Sequence, residues 1–381
     1  GAPVAAVKPL PGDQHGLLAM RPQMMAPQAG EVLPRTPQAP WGARTGIAGS
    51  GTQTANGGPL WENSAGDRDG RSSMEAALTD SVIQVTTTAD EFEDPGPGSG
   101  CSLREALEAA NSDTAFGGCP AGSGADTIIL PAGSYALILH DFADLDITSD
   151  LAINGAGAGT TVIEATVIGG SRVLRIHAGT VEINDVTLTG GNAPRAGGIW
   201  NEGSLTLNNS TVSGNQAVGS EWFDAEGGGI YNDGSLTLNN NTISDNSASD
   251  KGGGIYNRGT MTVTNSTVSN NSSDEGQGGG VCNYYGTVDV SNSTLSGNSA
   301  YYGGGIYNSD DTTVTVSNST ISDNSAIYGG GIWNDGSLTL NNSTVSGNES
   351  YDGGGGGIYN DGYGSLTLNN STISGNEAPF Y

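Results

Sequence analysis

The sequence predicts an all-β fold: a right-handed parallel β-helix (solenoid) with an N-terminal capping helix and a long extended N-terminal arm. Three observations carry this. An isoleucine-like position recurs at Ile199, Ile230, Ile255, Val281, Ile306, Ile332 and Ile358, in steps of 31, 25, 26, 25, 26 and 26 residues. A fixed period in this range marks a solenoid whose units bury their apolar side only by stacking on one another. Within each unit, runs such as Leu236-Thr237-Leu238 and Thr242-Ile243-Ser244 alternate apolar and polar, which is the period of a strand. Asn-Asn, Gly-Asn and Asp-Gly pairs between the runs are turn signals. Each repeat therefore reads as about three short strands and three corners, stacked with a rise of about 4.8 Å. The right hand follows from the handedness of parallel crossovers.

Along the chain, residues 1–80 are rich in Pro, Gly, Gln, Ala and Met without periodicity, the composition of an extended arm. Residues 81–126 form a cap. Val82-Ile83-Gln84-Val85 opens a strand, a Pro/Gly turn follows from Asp94 to Gly100, and residues 102–111 read as a helix. Ser102 is a good N-cap, Glu105 stands at the capping-box position, and Leu103, Ala106, Leu107 and Ala110 share one face. Residues 127–195 carry irregular strands such as Thr127-Ile128-Ile129-Leu130, Leu151-Ala152-Ile153 and Val181-Glu182-Ile183, the first coils of the rod. Residues 196–381 are the seven Gly/Asn-rich repeats.

Glycine supplies 63 of 381 residues, a composition that elsewhere signals disorder; the periodic Ile, Leu and Val positions argue against that here. The net charge of −28 speaks against nucleic acid as a partner. Residues 1–60 are weakly basic, four cations to two anions, whereas residues 81–381 hold six basic against 33 acidic residues. Such an arm can lie on an acidic rod, its own or a neighbour's. No 18-residue apolar run is present to span a membrane. The chain starts Gly1-Ala2-Pro3 without Met, as in an exported protein whose signal peptide has been removed. An extracellular or cell-surface location is expected. Asn209, Asn265, Asn292, Asn318, Asn342 and Asn370 stand in Asn-x-Ser/Thr sequons, although Asn and Ser are also what the corners need.

Cys101-Ser102-Leu103-Arg104-Glu105-Ala106-Leu107 matches the motif of CSLREA-domain proteins, and the downstream repeats resemble those of polymorphic outer-membrane-type and pectin-lyase-like β-helices. The resemblance covers roughly residues 82–381. It implies a bacterial surface or secreted β-helix and no particular reaction.

Cys101 and Cys119 bracket the cap helix, and a disulfide between them suits an exported chain. Cys282 stands alone and reads as a small packing residue. The triple glycines are not phosphate loops, since no helix follows and no Lys-Ser/Thr closes the motif; they permit a tight corner or close backbone approach.

Residues in register stack into columns. After each isoleucine come Trp200, Tyr231, Tyr256, Cys282, Tyr307, Trp333 and Tyr359, a column that period two turns outward if the isoleucine points in. Three uses are open: self-stacking, a platform for sugars, or a groove for the Pro-rich arm. Trp222, Phe223, Tyr301, Tyr302, Tyr328 and Tyr351 add aromatics before the glycines, and a large exposed strip asks for a partner. Next comes an asparagine ladder, Asn201, Asn232, Asn257, Asn283, Asn308, Asn334 and Asn360, able to hydrogen-bond along the stack. Then follow Glu202, Asp233, Arg258 and, later, Asp335 and Asp361. No dense loop of oxygen ligands for calcium accompanies them, and no cofactor or metal is expected. A glycosidase would need two carboxylates flanking a cleft. A polysaccharide lyase would need basic residues, yet from 196 onward only Lys251 and Arg258 are basic, and His15, His140 and His177 form no spaced cluster.

The expectation for function is a non-enzymatic extracellular filament subunit. The helix covers one end of the rod; the other shows no cap, and an open coil edge is a template for another copy, stacked head to tail. Gly57-Gly58-Pro59-Leu60-Trp61-Glu62-Asn63 resembles the repeat opener and would act as a donor segment on a neighbour, through Gly57, Gly58, Leu60, Trp61 and Asn63. The alternatives are a monomeric adhesin or carbohydrate-binding rod and, further off, a polysaccharide lyase or hydrolase.

Overall fold

A computed structural model describes residues 80–92, 98, 100–138, 144–166, 170–219 and 224–379. The arm with its donor segment at residues 57–63, together with His15, His140, Trp222 and Phe223, lies outside the described residues.

Among the described residues the chain is a right-handed parallel β-helix with one α-helix. Its strands form four sheets, of eleven, ten, nine and seven strands. The repeats have four strands per coil, not three. In one coil these are Ile255–Asn257, Thr260–Thr264, Thr267–Ser269 and Ser272–Gln277. The extra strand follows the buried asparagine after each Ser-Gly, Ser-Asp or Ser-Asn corner, where sequence alone reads only a turn. The sheets are called here, after their motifs, the Ile-Tyr-Asn, Leu-Thr-Leu and Thr-Ile-Ser sheets and the short sheet.

Register is the organising fact. Ile199, Ile230, Ile255, Val281, Ile306, Ile332 and Ile358 pair in sequence along the Ile-Tyr-Asn sheet. With the inward residues of the Leu-Thr-Leu and Thr-Ile-Ser sheets they form one aliphatic column, buried from Ile83 to Val345. Burying each such side chain is worth about 1.5–3 kcal/mol. In the last coil Leu368 and Ile373 are 45% and 43% exposed.

Polar columns satisfy the corners. Asn201 Nδ2 donates to Asn232 Oδ1 at 2.7 Å, and the pattern repeats through Asn257, Asn283, Asn308, Asn334 and Asn360 at 2.7–3.0 Å. A second ladder, which the sequence reading took for turn residues, runs through Asn215, Asn246, Asn271, Asn298, Asn324, Asn348 and Asn376. Each of its amides also caps backbone groups, as where Asn271 Oδ1 accepts from Asn246 N at 3.1 Å and Asn271 Nδ2 donates to Ile243 O at 3.0 Å. The sequon residues Asn209, Asn265, Asn292, Asn318, Asn342 and Asn370 are exposed corners with φ of 48–51°, a left-handed conformation that Asn tolerates.

The cap helix spans Leu103–Ser112. Ser102 Oγ accepts from Glu105 N at 3.2 Å and Ser102 N donates to Glu105 Oε2 at 3.0 Å, closing a capping box. The helix lies against Val82–Gln84, Asp126–Ile129 and Leu145–Ile147, the first strands of the rod. Cys101 and Cys119 are disulfide-bonded, with Cα atoms 4.6 Å apart, and so tie the helix start to the loop behind it.

Candidate binding seam along the glycine corner

The triple glycine joins the short sheet to the Ile-Tyr-Asn sheet. At Gly254 a Cβ would sit 2.6 Å from the Gly280 carbonyl, and at Gly253 it would run into that of Ser272. Only glycine lets successive coils close at this corner. The corner brings two outward columns together. One is the aromatic column. The other is formed by the residues just before the glycines: Arg195, Glu226, Lys251, Gln277, Tyr302, Tyr328 and Gly354, each paired with the next.

The aromatic column is not the exposed strip expected from alternation. Tyr231, Tyr256 and Tyr307 are 1%, 2% and 8% exposed, and Cys282 is buried with them. The facing column, neighbouring rings and Tyr284 cover them, making a small hydrophobic cluster outside the main core. Rings follow one another at 5.4 Å from Trp200 to Tyr231 and 5.2 Å from Tyr231 to Tyr256. Burial drives the Tyr256 and Tyr307 hydroxyls well above the usual tyrosine range, so neither is a base at neutral pH.

Toward the N-terminal end the column continues upstream as Arg175, which pairs in register with Trp200, and Asp146, which pairs with Arg175. Basic residues upstream of 196, outside the count that finds only Lys251 and Arg258, gather here with His177. Arg172 binds Asp144 at 2.7 Å, Arg175 binds Glu202 at 2.9 Å, and His177 reaches Asp146 at 2.6 Å and Glu202 at 3.8 Å. Arg195 lies 3.2 Å from Glu226, Lys251 is 3.5 Å from both Glu226 and Asp224, and Arg258 is 3.8 Å from Asp233. Each of these five Arg and Lys side chains also lies over a ring: Arg172 and Arg175 over Trp200, Arg195 over Tyr231, Lys251 over Tyr284, Arg258 over Tyr285. Burial works against the Lys251 charge, but Glu226, Asp224 and Asp250 more than offset it and hold the ammonium above its ordinary value. His177 thus joins Asp146 and Glu202 in a cluster that stacking assembles from residues far apart in the chain. The signal was present: a step of 25 residues back from Ile199 lands on Leu174, next to Arg175.

The C-terminal half of the seam is open and aromatic. Trp333 stacks on Tyr359 at 4.2 Å and meets Tyr302 edge-on at 4.9 Å; Tyr302 stacks on Tyr328 at 5.6 Å. Trp333, Tyr359, Tyr302 and Tyr328 are all partly exposed. The Tyr328 and Tyr359 rings close over buried Gly354, where a Cβ would stand 2.9 Å from Tyr328 and 3.4 Å from Tyr359. Carboxylates edge the rings. Trp333 Nε1 donates to Asp335 Oδ1 at 2.8 Å, Tyr307 Oη donates to Asp335 Oδ2 at 3.2 Å, and Tyr328 Oη donates to Asp352 at 2.6 Å. The bond to Asp352, more than burial, pushes the Tyr328 hydroxyl up to about 12.

At the N-terminal end, Asp144 and Asp146 also line a hollow of about 520 Å³ beside the cap helix, with Phe92, Leu107 and Ile138. Among the described residues, no three or more His, Cys, Asp or Glu side chains are placed to hold a metal ion. None of the described helices is long and apolar enough to cross a membrane.

The family model described as "Right handed beta helix region" matches residues 151–321. No curated protein matches the chain. Among solved structures, pectate lyase Pel9A is similar at 14% identity, with 80% of this chain and 79% of that chain covered and a TM-score of 0.41. The alginate lyase of Paenibacillus sp. is similar at 13% identity, over 77% of this chain and 99% of that one, at a TM-score of 0.39. The A-module of mannuronan C-5 epimerase AlgE4 from Azotobacter vinelandii is similar at 17% identity, over 73% of this chain and 93% of that one, at a TM-score of 0.36. Likenesses this distant carry nothing about the chemistry of this chain.

Proposed function

We propose that this chain is an extracellular β-helical rod that binds a glycan chain lengthwise in the glycine-corner seam, without turning it over. The observation that carries this reading is the partly exposed cluster of Trp333, Tyr359, Tyr302 and Tyr328 packed over Gly354, with Asp335 and Asp352 hydrogen-bonded at its rim. Flat rings match the C–H faces of sugars, and rim carboxylates accept from hydroxyls. The absence of turnover is supported by the engagement of the seam's Arg and Lys side chains with both a carboxylate and a ring. The resemblance of residues 101–107 to the CSLREA motif supports the extracellular setting. Trp333→Ala is expected to weaken glycan binding at least tenfold in calorimetry. Equal affinity in the variant would overturn the seam as the site, and release of oligosaccharides by the wild type would overturn the non-catalytic reading.

A further inference from the structure

We infer that the seam is built for a neutral, hydroxyl-rich glycan and not for a polyuronate, an inference that rests on the seam being a glycan site. Charge is the first reason. Arg172, Arg175, Arg195, Lys251 and Arg258 each already face a carboxylate of this chain, at 2.7–3.8 Å. Asp146 adds a further carboxylate, beside His177. Among the described residues, no Arg or Lys of the seam is left without a carboxylate for an acidic sugar to claim. Beyond Arg258 the chain contains no Lys or Arg at all, so the half of the seam around Trp333 offers Asp335 and Asp352 with nothing to oppose them. A chain of carboxylates laid along this groove would be repelled over the second half and compete with built-in partners over the first.

Unused donors are the second reason. Arg172 Nε, Arg195 Nε and Trp200 Nε1 are buried without a hydrogen-bond partner. Arg195 Nε is within ion-pair distance of Glu226 but outside hydrogen-bond geometry. All three atoms can only donate, so only an acceptor satisfies them. They follow one another along one stretch of the seam, because Arg172 lies over the Trp200 ring, Trp200 touches Tyr231, and Arg195 lies over Tyr231. Sugar hydroxyls accept from such donors and in turn donate to the adjacent carboxylates Glu202 and Glu226, using both signs of a balanced pair. Entry requires the partly exposed side chains of Arg175 and Arg195 (28% and 36%) to turn aside. From Trp200 to Trp333 is five coils, about 24 Å by strand spacing, so one extended oligosaccharide can span both ends.

The test is a binding panel of neutral β-glucan, xylan and mannan oligosaccharides against oligogalacturonate and oligoalginate, at 20 mM and 500 mM NaCl. The expected result is binding of at least one neutral glycan, changed less than twofold by salt, and at least tenfold tighter than any uronate. Trp200→Phe, which keeps a ring and removes the indole N–H, should weaken that binding about fivefold with an unchanged melting profile. A uronate bound more tightly than every neutral glycan would overturn this inference and leave the seam standing as a glycan site. Binding of no glycan would overturn the seam reading itself. Wild-type affinity in Trp200→Phe would remove the unused donors from the argument. Should that variant misfold, Arg195→Lys, altering a more exposed donor, is read the same way.

Discussion

The ring of Tyr284 lies 6.0 Å from that of Tyr256, packed into the aromatic cluster in the coil where Cys282 replaces the usual Tyr or Trp. The column thus stays filled where its own residue is small, because a tyrosine two places on, in the position occupied elsewhere by Glu202, Asp233 or Asp335, supplies the ring.

This exchange predicts a coupled pair. Cys282→Tyr should overpack the site and cost about 1–3 kcal/mol in chemical denaturation. Combined with Tyr284→Ser it should recover most of that loss, a non-additivity expected only of residues in contact. Additive effects would show that Tyr284 does not occupy the Cys282 space.

Burial also pushes the Cys282 thiol well above the ordinary cysteine range. A thiolate is the reactive form. Native protein should therefore take up no Ellman's reagent over hours at pH 8, and one equivalent per chain once unfolded with its disulfide intact. Rapid labelling of the native chain would place Cys282 outside the buried cluster.

The inner asparagine ladder should be more costly to break than any corner. Asn271→Ala removes acceptors from the backbone and side chain of Asn246 and the donor to Ile243 O. Buried groups left unpaired cost about 1–3 kcal/mol each, so a loss of about 3 kcal/mol or more is expected in denaturant unfolding. Asn270→Gly, at the neighbouring exposed left-handed corner with φ of 56°, should lie within about 0.5 kcal/mol of wild type.

Two carboxyls set a pH dependence. Burial raises Asp144 despite Arg172, and burial raises Asp335 despite its bonds from Trp333 and Tyr307. Folding thus favours their protonated forms. Their contribution to stability is fully present below the ordinary value of 3.8 and is lost as pH rises through their higher native values. Melting temperature should fall from pH 4 toward pH 7, and Asp335→Asn should flatten part of that slope. A slope unchanged in Asp335→Asn would remove Asp335 from the account.

The stack was legible because its information is periodic. The isoleucine steps, the strand alternation and the glycine corners all repeat, so seven weak signals add. The seam was not legible, for three physical reasons. Alternation says that Trp200 and Tyr231 point away from the aliphatic core but not what folds over them. The facing column, Arg195, Glu226, Lys251, Gln277, Tyr302, Tyr328 and Gly354, shares a place and no chemical type, so it leaves no pattern to read. And the ion pairs join residues about a coil apart, as Arg175 with Glu202 and Arg172 with Asp144, which only stacking brings together. The Asn215 to Asn376 ladder hid differently: an asparagine after Gly or Asp resembles any turn, and its burial emerges only when the coil closes.

At the glycine corner, Gly254 N donates to Gly279 O at 2.9 Å, Gly280 N to Gly304 O at 3.0 Å and Gly331 N to Gly356 O at 2.9 Å. These three junctions are chemically the same joint. Duplicating or excising one whole coil in a gene would rejoin like to like, so the stack can change length in quantised steps while its outward residues diversify one coil at a time.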